Sequence, residues 1–352
     1  MDRLDNGRFP QPAGERINGA GVWRAAGTDE IGDVIAMQRI RSIDELPAGL
    51  RGGAVAIGNF DGVHLGHASI VARLIQQAAA ISGPSIVLTF DPHPVSLLRP
   101  QQAPQRLATT DRKLELLEQL GVDAVVTYPT DQQLLELTAE EFFESIIVAG
   151  LDARAIVEGP NFAFGRDRAG TIEILEHLCQ QQGIVLDVVE PLEMDGGIIS
   201  SSRLRQLIGE GQVETANSML TRPYRVRGMI QQGAGRGREI GFPTANLADL
   251  STLLPADGVY AGHGYVKGQS WPAAVNIGTN PTFDDPTAKF EVHLVGFSGR
   301  LYGEMMDLDL LGHLRDVRRF ENREQLQLQI EEDVRQACQV VEKQVGNNEP
   351  GN

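Results

Sequence analysis

A chain of 352 residues, at about 150 per domain, points to two domains, and 41% hydrophobic with 22% charged residues is globular rather than disordered composition. With 31 Lys and Arg against 47 Asp and Glu, the net charge of −16 disfavours a nucleic-acid partner, so any phosphate site must be local: backbone N–H groups, a few cations and a metal. Two cysteines, Cys179 and Cys338, are too few for a disulfide framework or a cysteine zinc site, and no run approaches the roughly 18 apolar residues of a membrane span. The expectation is a cytoplasmic protein with no membrane partner, monomeric or weakly homo-oligomeric.

Residues 1–36 mix acidic residues with arginines and lack an apolar core, which predicts a disordered extension rather than a targeting peptide. Met37 offers an alternative start. Residues 37–208 then alternate short apolar runs with helical patterns. Runs at 54–57, 85–90, 124–127 and 155–157 read as strands buried on both faces, as in a parallel sheet. Helices are expected over 67–80, 111–120 (stopped by Gly121), from the capping box Thr138–Glu141 to Gly150, and over 171–182 (stopped by Gly183). The pattern predicts a doubly wound α/β domain with its ligands beyond the carboxyl ends of the strands.

The first chemical cluster, Gly58-Asn59-Phe60-Asp61-Gly62-Val63-His64-Leu65-Gly66-His67, leaves a strand and enters a helix. Its glycines let phosphates approach the backbone, and the helix N-terminus supplies N–H donors. His64 and His67, three residues apart, can face one space and stabilise charge developing at phosphorus, or simply cap the helix. Ser201 and Ser202 offer hydroxyls and N–H groups at another helix start, with the Arg205 fork one turn on; a plain N-capped linker helix is the alternative. Asp91 and His93 flank prolines and read equally well as turn residues.

A helical linker is expected over 209–222. From 223 to 343 the style changes to short extended runs at 224–232, 259–267, 271–277, 289–297 and 304–311, which predict a small antiparallel barrel. A closing helix follows, capped by Asn322 with Gln325 at N3 and a stripe of Leu326, Ile330, Val334, Ala337 and Val341. Residues 344–352 read as a disordered tail. The second cluster opens with Gly233, Gly235, Arg236 and Gly237, a flap whose N–H groups can wrap phosphates. Thr244 and Asn246 in Pro243-Thr244-Ala245-Asn246 share a face if extended, and their oxygens suit Mg²⁺. Read without context, that tetrapeptide is more readily a turn than a metal site. Glu291 alternates with Phe290 and Val292 and would by default face solvent.

The set of motifs resembles known families. Gly58–His67 is similar to the HxGH signature of nucleotidyltransferases in its prokaryotic FAD synthetase form. Ile199–Arg205, Gly159–Gly165 with Asn161 inside it, and Thr89–Pro94 match further blocks. The segments 233–246, Asn276–Phe283, Phe290–Leu294, Leu301–Gly303 and Leu314–Arg315 resemble riboflavin kinase. Together they resemble the bifunctional riboflavin kinase/FAD synthetase family over about residues 37–338, apart from Gly296 and Arg300 at often acidic positions and Val317 after Arg315. The resemblance implies a Rossmann-like α/β domain followed by a barrel with a C-terminal helix. It implies that ATP and riboflavin give FMN, and that FMN and a second ATP give FAD and pyrophosphate. It also implies roles: His64, His67 and Arg205 in adenylyl transfer; Gly58, Asn59, Phe60, Asp61, Gly66, Asn161, Ser201 and Ser202 on one nucleotide; Gly233, Gly235, Arg236 and Gly237 on the other. Glu291 would be the base for the ribityl hydroxyl, Thr244 and Asn246 the Mg²⁺ ligands, and Asp91 and Arg315 flavin contacts. Two other readings are a nucleotidyltransferase for another phosphorylated substrate and a flavin-nucleotide sensor without catalysis.

Overall fold

The computed structural model describes residues 15–17, 23–25, 36–232, 236–280 and 285–348. Within the expected disordered extension, β1 (Glu15–Ile17) and β2 (Trp23–Ala25) pair as an antiparallel ribbon; the rest of 1–35 lies outside the described residues. The first domain runs β3 (Gln38–Ile40), β4 (Ala54–Ile57), α1 (Leu65–Ala80), β5 (Ser85–Asp91), α2 (Pro94–Leu98), α3 (Thr110–Gln119), β6 (Ala124–Pro129), α4 (Gln132–Glu136), α5 (Ala139–Phe142), β7 (Ala155–Glu158), α6 (Ile172–Gln182) and β8 (Val185–Val188). Six of these are parallel strands in the order β3-β6-β5-β4-β7-β8. The order reverses between β4 and β7, which opens a crevice at their carboxyl ends.

Alternation within each strand builds the layers. Val55, Ile57, Ile86, Leu88 and Ile156 pack on one face beneath Phe143 and Ile147, while Ala54, Ala56, Val87 and Val157 meet Leu74 of α1 and Leu117 of α3 on the other. The expected caps are present. Thr138 and Glu141 exchange backbone hydrogen bonds of 3.1 and 2.9 Å, and Gly121 and Gly183 take φ of 88° and 69°. Beyond α5 the turns widen to i→i+5 spacing over Phe143–Gly150.

A hairpin of β9 (Glu193–Met194) and β10 (Gly197–Ile198) precedes the connecting helices α7 (Ser201–Gly209) and α8 (Val213–Met219). The second domain is a closed antiparallel barrel of β11 (Tyr224–Gln231), β12 (Ala245–Ala248), β13 (Gly258–Val266), β14 (Gln269–Asn280), β15 (Asp285–Leu294) and β16 (Met305–Arg315), ordered β11-β12-β15-β14-β13-β16. A short helix, α9 (Arg236–Glu239), precedes β12. The last helix, α10 (Arg323–Asn348), lays Ala337 against Ala261 and Ala274. It is capped as expected, by Asn322 Oδ1 accepting from Gln325 N at 2.9 Å, but continues through Gly346 into the segment read as a disordered tail. Ordinary helical backbone hydrogen bonding carries it on without needing an apolar face there.

The two domains share a core. One buried cluster joins Leu107 of the α/β domain, Leu204 and Val213 of the connecting helices, and Tyr224, Tyr260 and Leu308 of the barrel. Leu253 N donates to Arg106 O at 2.8 Å, and the Tyr224 hydroxyl donates to Leu253 O at 2.6 Å.

Candidate active site

The turn between β4 and α1 is strained into shape. Phe60 and Val63 take φ of 47° and 39°, left-handed values a β-branched residue seldom adopts, and Gly62 lies at 83°. A Cβ on Gly62 would meet the Leu107 side chain at 3.0 Å. Asp61 holds the turn by accepting from Leu107 N at 3.0 Å and Ala108 N at 3.1 Å and pairing with Arg205 at 2.5 Å. The Ser201 hydroxyl of α7 donates to Asp61 O at 2.9 Å, and the Thr221 hydroxyl, just beyond α8, to Val63 O at 2.7 Å.

The two histidines cap α1 reciprocally. His64 Nδ1 accepts from His67 N, and His67 Nδ1 from His64 N, each at 3.3 Å; their rings stack with centroids 3.6 Å apart. In the neutral form each ring therefore carries its proton on Nε2, giving two donors side by side. Burial, then the Arg205 charge, pushes His64 down to about 4. Burial, then His64 and Lys113, holds His67 well below the ordinary histidine range. Both imidazoles are thus neutral at pH 7, able to donate to phosphoryl oxygens without carrying charge.

Two cavities meet at this turn. One of about 470 Å³ contains His64, Gly66, His67, Asn161 and Ser201. The other, about 330 Å³, has apolar walls including Phe90, Leu98, Phe142 and Phe162. Gly58, Asn161 and Phe162 belong to both, at the crevice between β4 and β7.

Several residues sit differently from their sequence reading. Ser200, not Ser201 or Ser202, caps α7 by accepting from Arg203 N at 3.3 Å; Ser202 is exposed and outside the cavity. The Arg205 fork is engaged by Asp61 and by Gln105 O at 2.8 Å, so it braces the turn. Asp91 accepts from Arg106 at 3.0 Å and Thr110 at 2.7 Å, and lines a small polar pocket rather than the apolar one. Arg315 forks onto the buried Asp333 at 2.8–3.2 Å, tying β16 to α10. Asn59, expected to contact a nucleotide, has a buried Oδ1 with no hydrogen-bond partner. Sequence reasoning missed Lys113, buried beneath the turn on α3. A lysine inside an amphipathic helical pattern gives no signal of burial until the fold is known.

In the barrel, strand register aligns the second site. Asn246 on β12 lies opposite Glu291 on β15, and Glu291 opposite Asn276 on β14. Phe290 and Val292 point into the buried core, so this polar row lies on the outer face. Thr244 lines a cavity of about 360 Å³ with Arg238, Phe297 and Tyr302. Gly237 packs so closely on the Phe242 carbonyl that a Cβ would lie 2.3 Å from its oxygen, which keeps this stretch of backbone bare. Arg236 begins α9, whereas Gly233 and Gly235 lie outside the described residues. Among the described residues no group of three or more His, Cys, Asp or Glu could hold a metal ion.

Comparison with known proteins matches residues 47–203 to the FAD synthetase family and residues 220–341 to riboflavin kinase. A bifunctional riboflavin kinase/FMN adenylyltransferase of Pseudomonas fluorescens is 37% identical over 85% of this chain and 96% of its own. The chain belongs to the bifunctional riboflavin kinase/FMN adenylyltransferase family. The Escherichia coli K12 relative is 33% identical over 84% of this chain and 96% of its own. A solved structure described as a macrolide-efflux protein from Streptococcus pneumoniae superposes with a TM-score of 0.74 at 32% identity, covering 85% of this chain and 97% of that one. Among the described residues no helix is long and apolar enough to cross a membrane. As a family member the chain phosphorylates riboflavin to FMN and adenylylates FMN to FAD, and neither alternative reading is favoured.

Proposed function

We propose that adenylyl transfer takes place at the His64–His67 turn and riboflavin phosphorylation on the Asn246–Glu291–Asn276 row of the barrel. The observation that carries the first assignment is the contact of the two cavities beside the paired imidazoles. ATP in the cavity lined by the imidazoles and FMN in the one walled by Phe90, Leu98, Phe142 and Phe162 bring the FMN phosphate to the α-phosphorus beside Gly58 and Asn161, and pyrophosphate leaves. The attacking phosphate is already anionic, so no general base is needed. The Nε2–H groups of His64 and His67 and the α1 N-terminus stabilise the charge that builds on the phosphoryl oxygens. Arg205 and Asp61 act on this step by fixing the turn.

In the barrel, Glu291 orients and deprotonates the terminal ribityl hydroxyl, which attacks the γ-phosphorus in line as the bond to the bridging oxygen breaks and ADP leaves. Thr244 and Asn246 supply hydroxyl and amide oxygens of the kind Mg²⁺ accepts. Mg²⁺, when bound, neutralises phosphate charge. The residues around Gly237 present bare backbone to the triphosphate. The reading includes ATP, riboflavin and FMN as partners, a cytoplasmic setting and a monomer or weak homo-oligomer. It is tested by Asn246→Ala, which should raise the Mg²⁺ concentration needed for half-maximal FMN formation by about tenfold or more, while FAD formation from supplied FMN keeps its Mg²⁺ dependence. An unchanged Mg²⁺ dependence of FMN formation would remove Asn246 from the metal site.

A further inference from the structure

Lys113 is 7% exposed, yet it lies beneath the turn that carries the paired imidazoles. Its Nζ donates to Asn59 O at 3.1 Å and to the fully buried Thr89 hydroxyl at 2.8 Å, while that hydroxyl donates to the same Asn59 carbonyl at 3.3 Å. Asn59 is thus clamped by two donors, one from α3 and one from β5, just before the left-handed Phe60. A backbone strained at Phe60 and Val63 relaxes unless its surroundings over-determine it. The clamp is one such constraint and the Asp61 carboxylate another. We propose that Lys113 is a positioning residue of the adenylyl-transfer site, fixing the turn so that both Nε2–H groups face the phosphoryl oxygens. The inference rests on the assignment of adenylyl transfer to that turn.

The charges around Lys113 make the role readable in solution. Asp61 of the turn, Asp91 at the end of β5 and Arg106 before α3 surround it, and its own charge acts on His67 of α1 and His93 at the start of α2. Burial outweighs the two carboxylates and lowers Lys113 to about 8. A depressed lysine is charged below that pH and neutral above it. The cationic clamp therefore weakens as pH rises through about 8, and the added repulsion that keeps His67 and His93 uncharged goes with it.

The test uses the full chain with supplied FMN, ATP and Mg²⁺. Wild-type kcat for FAD formation should fall along a single-ionisation limb above about pH 8. Lys113→Met, which keeps the length and removes the charge, should lose that limb and cut kcat by about 10–100-fold with little change in KM for ATP. Riboflavin phosphorylation by the same molecules reports on folding and should be unaltered. Where the Met variant does not fold, the wild-type profile decides alone: no alkaline limb in FAD formation overturns the proposal. It is equally overturned if Lys113→Met folds and keeps wild-type kcat and pH profile. Full FAD synthesis by His67→Ala would instead show that the chemistry lies elsewhere, a failure of the underlying site assignment.

Discussion

A solvated histidine titrates near pH 6.5, but the geometry at His64 moves that transition to about 4. FAD formation should accordingly show no inflection near pH 6.5, because both imidazoles already hold the neutral form there. Stability carries the same signature. Between pH 6.5 and 4 the unfolded chain takes up a proton that native His64 refuses, so stability present at pH 7 is lost as pH falls. Urea unfolding of wild type and His64→Gln should differ less at pH 5 than at pH 7, by about 2 kcal/mol; an identical difference would place His64 in solvent. The histidine types and spacing were legible in sequence, as were the glycines around them. The engagement of Arg205 by Asp61 and of Arg315 by Asp333 was not, because each partner lies far along the chain. Their carboxylates look like any other surface acid until the fold brings them in.

At the scale of elements, the turn from β4 into α1 does the positioning, and Gly66 shows how little room it leaves. A Cβ there would stand 3.2 Å from Cε1 and Nδ1 of the His64 ring. Gly66→Ala should therefore shift the ring by a few tenths of an ångström and lower FAD formation by about tenfold or more, with FMN formation unchanged. Wild-type FAD kinetics in that variant would mean that ring placement is not limiting. The central strands β4 to β7 were readable as continuous apolar runs, because both faces of the sheet are covered. The edge strands β3 and β8 escaped notice: β3 buries only Ile40 and β8 buries no residue fully, so neither shows a continuous apolar run. β12 begins inside Pro243–Asn246, whose turn-like composition conceals the start of an extended segment paired on both sides.

Across the whole molecule, the α/β domain and the barrel are coupled where the His64–His67 turn is braced. Leu220, at the end of α8, bridges backbone to backbone with His64, and Asn217 beside it donates to Leu310 O of β16 at 2.8 Å. Together with the shared core this predicts one cooperative thermal transition in which both activities disappear at the same temperature. Two separated transitions in calorimetry would show that the domains unfold independently. Sequence order disclosed two folds joined by helices, but the common core depends on which faces of those helices turn inward and becomes visible only in three dimensions. The proposed assignment requires two separate sites that act in series on one chain. It is tested most directly by resolving the flavins formed from riboflavin, ATP and Mg²⁺ by Glu291→Gln, by His67→Ala and by their mixture. Glu291→Gln should leave riboflavin unconverted, and His67→Ala should accumulate FMN with FAD formation reduced about 10²–10³-fold. The mixture should regain FAD, because FMN released by one variant is adenylylated by the other. Loss of FMN formation in folded His67→Ala, or a mixture that makes no FAD, would contradict it.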